Sequence, residues 1–328
     1  MSFRVGIVGA NRRRNGTGPF VAGSLVRAGC DVCAVAAASL ESGRLAAQSL
    51  APLLGKMPQA FGSALDMLDG AGLDAVAICS PAAFHAEHLE AALDARLHVF
   101  CEKPLLLLEG RRHAEAARNL SRRFEAAGLV LHLNTQWPYT LREFHQLHGG
   151  FRPGGPRRLT MEMAPPVGGE DLFWESVPHP VSLLIVLGGA PEPRDVRAEW
   201  SPAEDALDLD FALPGPAGGR ISARLRFRVC PTQPRPAAYS IDGAAVRREV
   251  RLDPWSLRLV ADRQSVPLRD PLESSVNEFV RRVLTRDLAP TFRRLLLDNV
   301  VLLDALWQES STVRRSSCPT RSTTTSGN

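Results

Sequence analysis

Lys103 is one of only two lysines in a chain that carries 37 arginines. Arginine holds its proton at any physiological pH, whereas a lysine ammonium can exchange one, so a composition that spares lysine makes each one worth explaining. Lys103 stands in Glu102-Lys103-Pro104-Leu105, directly after the apolar run His98-Val-Phe-Cys101. Earlier, Ser80-Pro81-Ala-Ala-Phe84-His85 follows a second apolar run, Ala75-Val-Ala-Ile-Cys79. If both runs are parallel strands, both segments leave carboxyl ends, on the rim where doubly wound sheets bind ligands. The plain alternative is a surface lysine paired with Glu102, and the scarcity of lysine weighs against it.

Gly6 and Gly9 close the first apolar run, Arg4–Val8, and open a loop before a helical segment, the setting in which a Rossmann fold binds a dinucleotide pyrophosphate. The fingerprint is irregular. With Gly9 as its first glycine the second position is Asn11, and the loop runs through Arg12, Arg13 and Arg14 before Gly16. Cofactor choice is set at the end of the second strand, where NAD sites carry a carboxylate for the ribose 2′-hydroxyl. Here stand Ala36, Ala37, Ala38 and Ser39. The missing carboxylate removes repulsion of a 2′-phosphate, and the three arginines could grip one, which favours NADP with NAD left open. A solvated arginine run would look the same.

Glu102-Lys103-Pro104 and Ser80-Pro81-Ala-Ala-Phe-His85, at this separation and after this glycine loop, resemble the signatures of the Gfo/Idh/MocA oxidoreductases, and the likeness covers nearly the whole chain. The resemblance implies a Rossmann domain followed by an α+β domain with a large open, mostly antiparallel sheet. It implies hydride transfer between nicotinamide and a sugar, cyclitol or related polar alcohol or carbonyl, with Lys103 reaching substrate and nicotinamide. Family members tend to carry an Asp four residues before a His in the second domain. Here Glu175 and His179 take that spacing, with Glu in place of Asp, and Pro178 and Pro180 beside the His argue against a regular helix there. The set suits the reaction. A carbinol needs a partner that moves its proton, burial draws an ammonium's pKa toward neutrality, and an imidazole starts there. Ser80, Pro81, His85 and Glu102 would line the cofactor, with His85 holding the turn or a cofactor group. Gln136, Trp137, Tyr139 and Trp174 offer polar and aromatic surfaces for a polyhydroxylated ring, although hinge packing explains them equally well. Reduction of a C=N bond and a non-catalytic cofactor-binding regulator are the competing readings.

The elements that must hold these residues follow from periodicity. Through Asn134, short β-branched runs alternate with helical patterns, which predicts a parallel, doubly wound sheet over residues 1–134. From Leu159 to Val266 the alternation is apolar-polar, the mark of antiparallel strands with one wet face. It is interrupted by a helix near Pro180–Leu187 and followed by helices at Val276–Leu284 and Thr291–Ser310. This predicts a substrate and oligomerisation domain over 135–312 whose last helix returns to the first domain. A Ser/Thr-rich tail, 313–328, reads as disordered. An open sheet often hides its bare face in a homodimer or homotetramer.

Of the 328 residues, 45% are hydrophobic and 23% charged, the balance of a globular protein, and no apolar run approaches the ~20 residues of a membrane span. The net charge of +4 is spread along the chain, which points away from nucleic acid. The start reads directly into a strand, so a cytoplasmic location is expected. Cys30 and Cys33 form a CxxC without a second pair, on a segment read as a strand where residues three apart face opposite ways, so no metal site is expected.

Overall fold

The computed structural model describes residues 3–10, 16–108, 113–151, 155 and 157–317. Strands Arg4–Val8 (β1), Asp31–Ala36 (β2), Gln59–Phe61 (β3), Ala75–Ile78 (β4), His98–Cys101 (β5) and Leu131–Leu133 (β6) form a sheet in the order β3-β2-β1-β4-β5-β6, every pair parallel. Their sequences are continuously apolar because both faces are covered. Helices Gly18–Arg27 (α1) and Leu40–Leu54 (α2) pack on one face through Val21, Leu25 and Leu50. Ala64–Gly70 (α3), His85–Asp94 (α4) and His113–Ala126 (α5) pack on the other through Met67, Leu89 and Phe124. The strand order reverses between β1 and β4, so the crevice for a ligand opens where Gly9 and Ser80 emerge.

A short 3₁₀ turn, Trp137–Thr140, and Leu141–His148 (α6) lead into the second unit. Its strands are Arg158–Met163 (β7), Arg194–Trp200 (β8), Ala206–Pro214 (β9), Arg220–Arg228 (β10), Ala237–Ile241 (β11), Ala244–Leu252 (β12), Trp255–Ala261 (β13) and Gln264–Pro267 (β14). They lie in the order β14-β13-β12-β11-β7-β10-β9-β8, antiparallel except for β7 with β10. The apolar face of this sheet is covered by Glu170–Ser176 (α7), Pro178–Val186 (α8) and part of Pro290–Ser317 (α10), in a core that includes Phe173, Leu183, Leu225, Phe227 and Leu306. The opposite face is charged. Arg224 and Arg226 bond Asp210, and Arg228 bonds Asp208, across β10 and β9.

Two helices, rather than one, return to the first sheet. Pro271–Leu284 (α9) adds Leu272, Val276 and Phe279 to the core beneath α1, and α10 adds Leu296 and Val300 beside α5. The tail expectation also needs correcting. α10 runs on to Ser317, and Arg314 is fixed by Glu204 (2.6 and 2.7 Å) and Glu170 (2.7 Å) and lies over the Trp200 ring at 5.6 Å. Charge pairing and an aromatic face continue a helix that composition alone would end. Residues 318–328 lie outside the described residues.

The seam between the first sheet and α9 holds a buried polar cluster. His132 on β6 shares a 3.0 Å hydrogen bond through Nε2 with Ser275 Oγ, and Arg282 Nη1 donates to its Nδ1 at 3.4 Å. Burial, with the Arg282 charge adding to it, lowers the pKa of His132 from the ordinary 6.5 to about 3. Across that interval the unfolded chain binds a proton that the folded protein does not. The stability from this group is therefore complete above pH 6.5 and is lost as pH falls toward 3. Denaturant midpoints measured from pH 7 to pH 4 are expected to fall, and His132→Asn is expected to make the slope shallower. An unchanged slope would remove His132 from the account.

Candidate active site

The two signature segments are one structural unit. Ser80-Pro81 leaves the end of β4 and Glu102-Lys103-Pro104 leaves the end of the adjacent β5. His85, in the first turn of α4 and only 1% exposed, lies between them. Its Nε2 faces the Ser80 carbonyl at 3.0 Å and its Nδ1 faces the Pro104 carbonyl at 2.8 Å. The histidine therefore ties the two loops together, and its turn-holding role is the one the geometry supports. Ser80 is also buried, with its Oγ 3.0 Å from His88 Nδ1. Glu102 points inward and accepts a 2.8 Å hydrogen bond from Asn134 Nδ2 at the end of β6. The Oδ1 of that Asn134 is buried without a partner among the described residues.

Held by these loops, Lys103 reaches across to the second unit, where its Nζ donates to the backbone carbonyl of Glu175 at 2.8 Å. Glu175 thus meets the lysine through its main chain. The helical stretch divides at Val177, with Pro178 at the first position of α8, where a missing N–H costs nothing. His179 follows in that first turn. Burial comes first, then the charges of Lys103 and Arg248, in holding its pKa well below the ordinary histidine range, so the imidazole is neutral at pH 7. The ring of Trp137 stands edge-on to it at 6.5 Å.

Gln136 and Trp137 line a cavity of about 440 Å³ together with Thr17, Phe20, Arg248 and Trp255. The other two predicted substrate residues do not reach it. Trp174 is turned into the core against Phe173 (5.2 Å), Trp307 (5.1 Å) and His113 (5.4 Å), because α7 presents its apolar side to α10. Tyr139 faces a separate 250 Å³ cavity with Glu278 and Arg282, and burial, with Glu278 adding to it, raises its pKa to about 12. A larger hollow of about 1010 Å³ opens among Glu162, Arg226, Arg228 and Arg258 of the second sheet, and Arg248 borders it as well as the smaller cavity.

Sequence reasoning missed Arg248. The signal was available: in Val246-Arg-Arg248-Glu-Val250 the period-two register puts an arginine on the apolar side of β12, between two valines. It also missed Gly18. A Cβ there would come within 2.7 Å of Ala10 Cα, so Gly18 allows α1 to approach β1 closely.

The rim fits a dinucleotide. Gly9 has φ +80°, and a Cβ on it would lie 2.7 Å from Ser80 N and 2.8 Å from the Cys79 carbonyl carbon. α1 opens with Thr17 making no side-chain cap and no acidic residue in the first turn, which leaves its amide end open to phosphate. Gly16 immediately precedes it. At the end of β2 no carboxylate stands between Ala36 and Ser39, and Ser39 Oγ caps α2 by accepting from Ser42 N at 3.2 Å. Asn11, Arg12, Arg13 and Arg14 lie outside the described residues.

Residues 3–135 match the oxidoreductase family, NAD-binding Rossmann fold, designated Gfo/Idh/MocA. The match is confined to the first unit. The chain is 32% identical to the inositol 2-dehydrogenase of Leifsonia xyli over 163 residues, 46% of this chain and 44% of that protein. It thus spans less than half the length of the curated relatives it matches. Two solved structures share the whole architecture. The UDP-N-acetylglucosamine 3-dehydrogenase GnnA of Acidithiobacillus ferrooxidans has a TM-score of 0.67 at 22% identity, covering 94% of this chain and 99% of that one. The 3-ketoreductase KijD10 of Actinomadura kijaniata, solved with NADP, has a TM-score of 0.68 at 20% identity, covering 94% and 97%. At these identities the likeness speaks for the fold.

The two glycine environments give a direct test of the rim. Gly9→Ala adds a Cβ against backbone, whereas Gly29→Ala, at φ +84°, adds one into open space. Urea unfolding is expected to show a loss of about 1 kcal/mol for Gly29→Ala, from strain alone, and a clearly larger loss for Gly9→Ala. Equal losses would mean that the approach of β1 to the Ser80 loop is not tight.

Proposed function

We propose that the protein is an NADP-preferring oxidoreductase acting on a sugar, cyclitol or related polar alcohol or carbonyl. The observation that carries this reading is the Lys103 ammonium, projected from the Rossmann rim onto the Glu175 carbonyl beside a neutral His179. The relatives named above act on cyclitols and sugars, which supports the substrate class. The absence of a carboxylate after β2 supports NADP.

A bound nicotinamide supplies the hydride acceptor or donor. Gly9, Gly16 and the amide end of α1 hold the phosphates, while the buried Glu102 and Asn134 pair fixes the loop from which Lys103 extends. Lys103 Nζ orients the substrate oxygen and, in the reductive direction, donates to it as negative charge develops. In the oxidative direction the hydroxyl proton leaves toward the same pair, and neutral His179 can accept it. The Glu175 carbonyl steers the ammonium without neutralising it. Trp137 and Gln136 provide the apolar face and amide against which a hydroxylated ring can rest. In this reading the protein works in the cytoplasm, and copies meet through the bare face of the second sheet.

Lys103→Ala is expected to remove turnover by at least about 10²-fold while NADPH still binds, as read by cofactor fluorescence. Near-normal turnover would overturn the role of the lysine. Titration with both coenzymes is expected to give the smaller Kd for NADPH, and a preference for NADH would overturn the coenzyme assignment.

A further inference from the structure

Arg248 is a half-buried cation on the inner face of β12 whose Nε is itself buried and has no hydrogen-bond partner among the described residues. Its contact is with the Trp137 ring, 5.3 Å from the guanidinium carbon, and Trp137 in turn meets His179. The nearby carboxylate, Asp270, is engaged as the N-cap of α9, where it accepts from Leu272 N at 2.9 Å. A second guanidinium, Arg235, has a buried Nε without a partner among the described residues and adds like charge. Burial first, opposed by Asp270 and then reinforced by Arg235, lowers the proton affinity of Arg248, yet an arginine remains charged at any physiological pH. Leaving the inner nitrogen of such a fork desolvated without a partner is costly, and an anion bound against the fork would offset that cost.

We infer that Arg248 is the specificity residue for an anionic substituent, carboxylate or phosphate, carried by the substrate and held across Trp137 from the reacting carbon. This rests on the reading of Lys103 as the reactive group and narrows the substrate from polar sugars to charged ones. The 440 Å³ cavity is lined by Trp137 and Arg248 and also by the exposed Phe20 and Trp255, whose rings pack together with centroids 6.2 Å apart. A bulkier group beyond the anion therefore has somewhere to go.

The test is calorimetric titration of the full-length, NADP-saturated protein with glucose, glucuronate, glucose 1-phosphate and UDP-glucose. At least one anionic probe is expected to bind about tenfold or more tightly than glucose, and to weaken as salt is raised from about 50 to about 500 mM. Which probe binds identifies the anion as carboxylate, phosphate or diphosphate. Arg248→Gln is expected to lower that affinity by about tenfold or more, with glucose affinity and NADPH Kd changed by less than about threefold. Arg248→Lys keeps the charge and should retain part of the affinity, and with the salt titration it carries the test if the Gln variant does not fold. Glucose binding as tightly as every anion, an anion affinity indifferent to Arg248→Gln, or an equal loss of NADPH binding would each overturn the inference. Binding is read without turnover, so repeating the titration in Lys103→Ala separates the two claims. An anion preference that persists there while turnover is lost supports both, and a missing preference with lysine-dependent turnover sinks this one alone.

Discussion

The geometry of the site depends on one imidazole strung between two carbonyl oxygens. His85 spans from Ser80 to Pro104, at 3.0 and 2.8 Å, and so fixes the distance between the loops that leave β4 and β5. Parallel strands by themselves set only where these loops begin. The loops then run freely, and a lysine on one of them could sample many positions relative to the crevice. With the His85 bridge in place, and Glu102 drawn inward to Asn134, the lysine extends across the cleft to the Glu175 carbonyl. Precision at the lysine comes from polar contacts at the buried end of the loops, where water cannot compete for them.

The electrostatics follow from that direction. Lys103 and Arg248 both bear on His179, and both act with burial to keep it uncharged. In the proposed mechanism a neutral imidazole beside an ammonium gives the pair one proton to pass, whereas two cations at this depth would repel each other. Glu175, predicted from helical spacing, meets the ammonium in this arrangement through its main-chain carbonyl. A carbonyl positions an ammonium while leaving it charged, and it does so with little dependence on the side chain. The exchange of Asp for Glu at this position is then easier to understand, since part of the work does not pass through the side chain.

Much of this was legible in the sequence because it depends on short-range rules. The β4 and β5 runs, the glycine turn and the signature segments all read correctly from apolar continuity and local residue type. The parallel sheet followed from the alternation of elements, and the second sheet from period-two patterning. What could not be read depends on which way an element faces after packing. Trp174 and Tyr139 are aromatic residues near the site in sequence, yet α7 turns one into the core and the 3₁₀ turn sends the other to a different cavity. Arg248 was missed for the opposite reason: it is distant in sequence, and its place shows only as a charged residue in an apolar register. The extension of α10 to Ser317 escaped because Ser- and Thr-rich composition says nothing about a charge partner two units of chain away.

The return of α9 and α10 also bears on how the molecule is made. The first sheet is complete in strands once Leu133 has left the ribosome, but Phe279 and Leu296 supply part of the covering on its two faces. During translation those apolar surfaces must wait for nearly the whole remaining chain. The nascent protein therefore carries a finished sheet with unfinished flanks through most of its synthesis, a period in which its uncovered apolar surface is exposed to self-association.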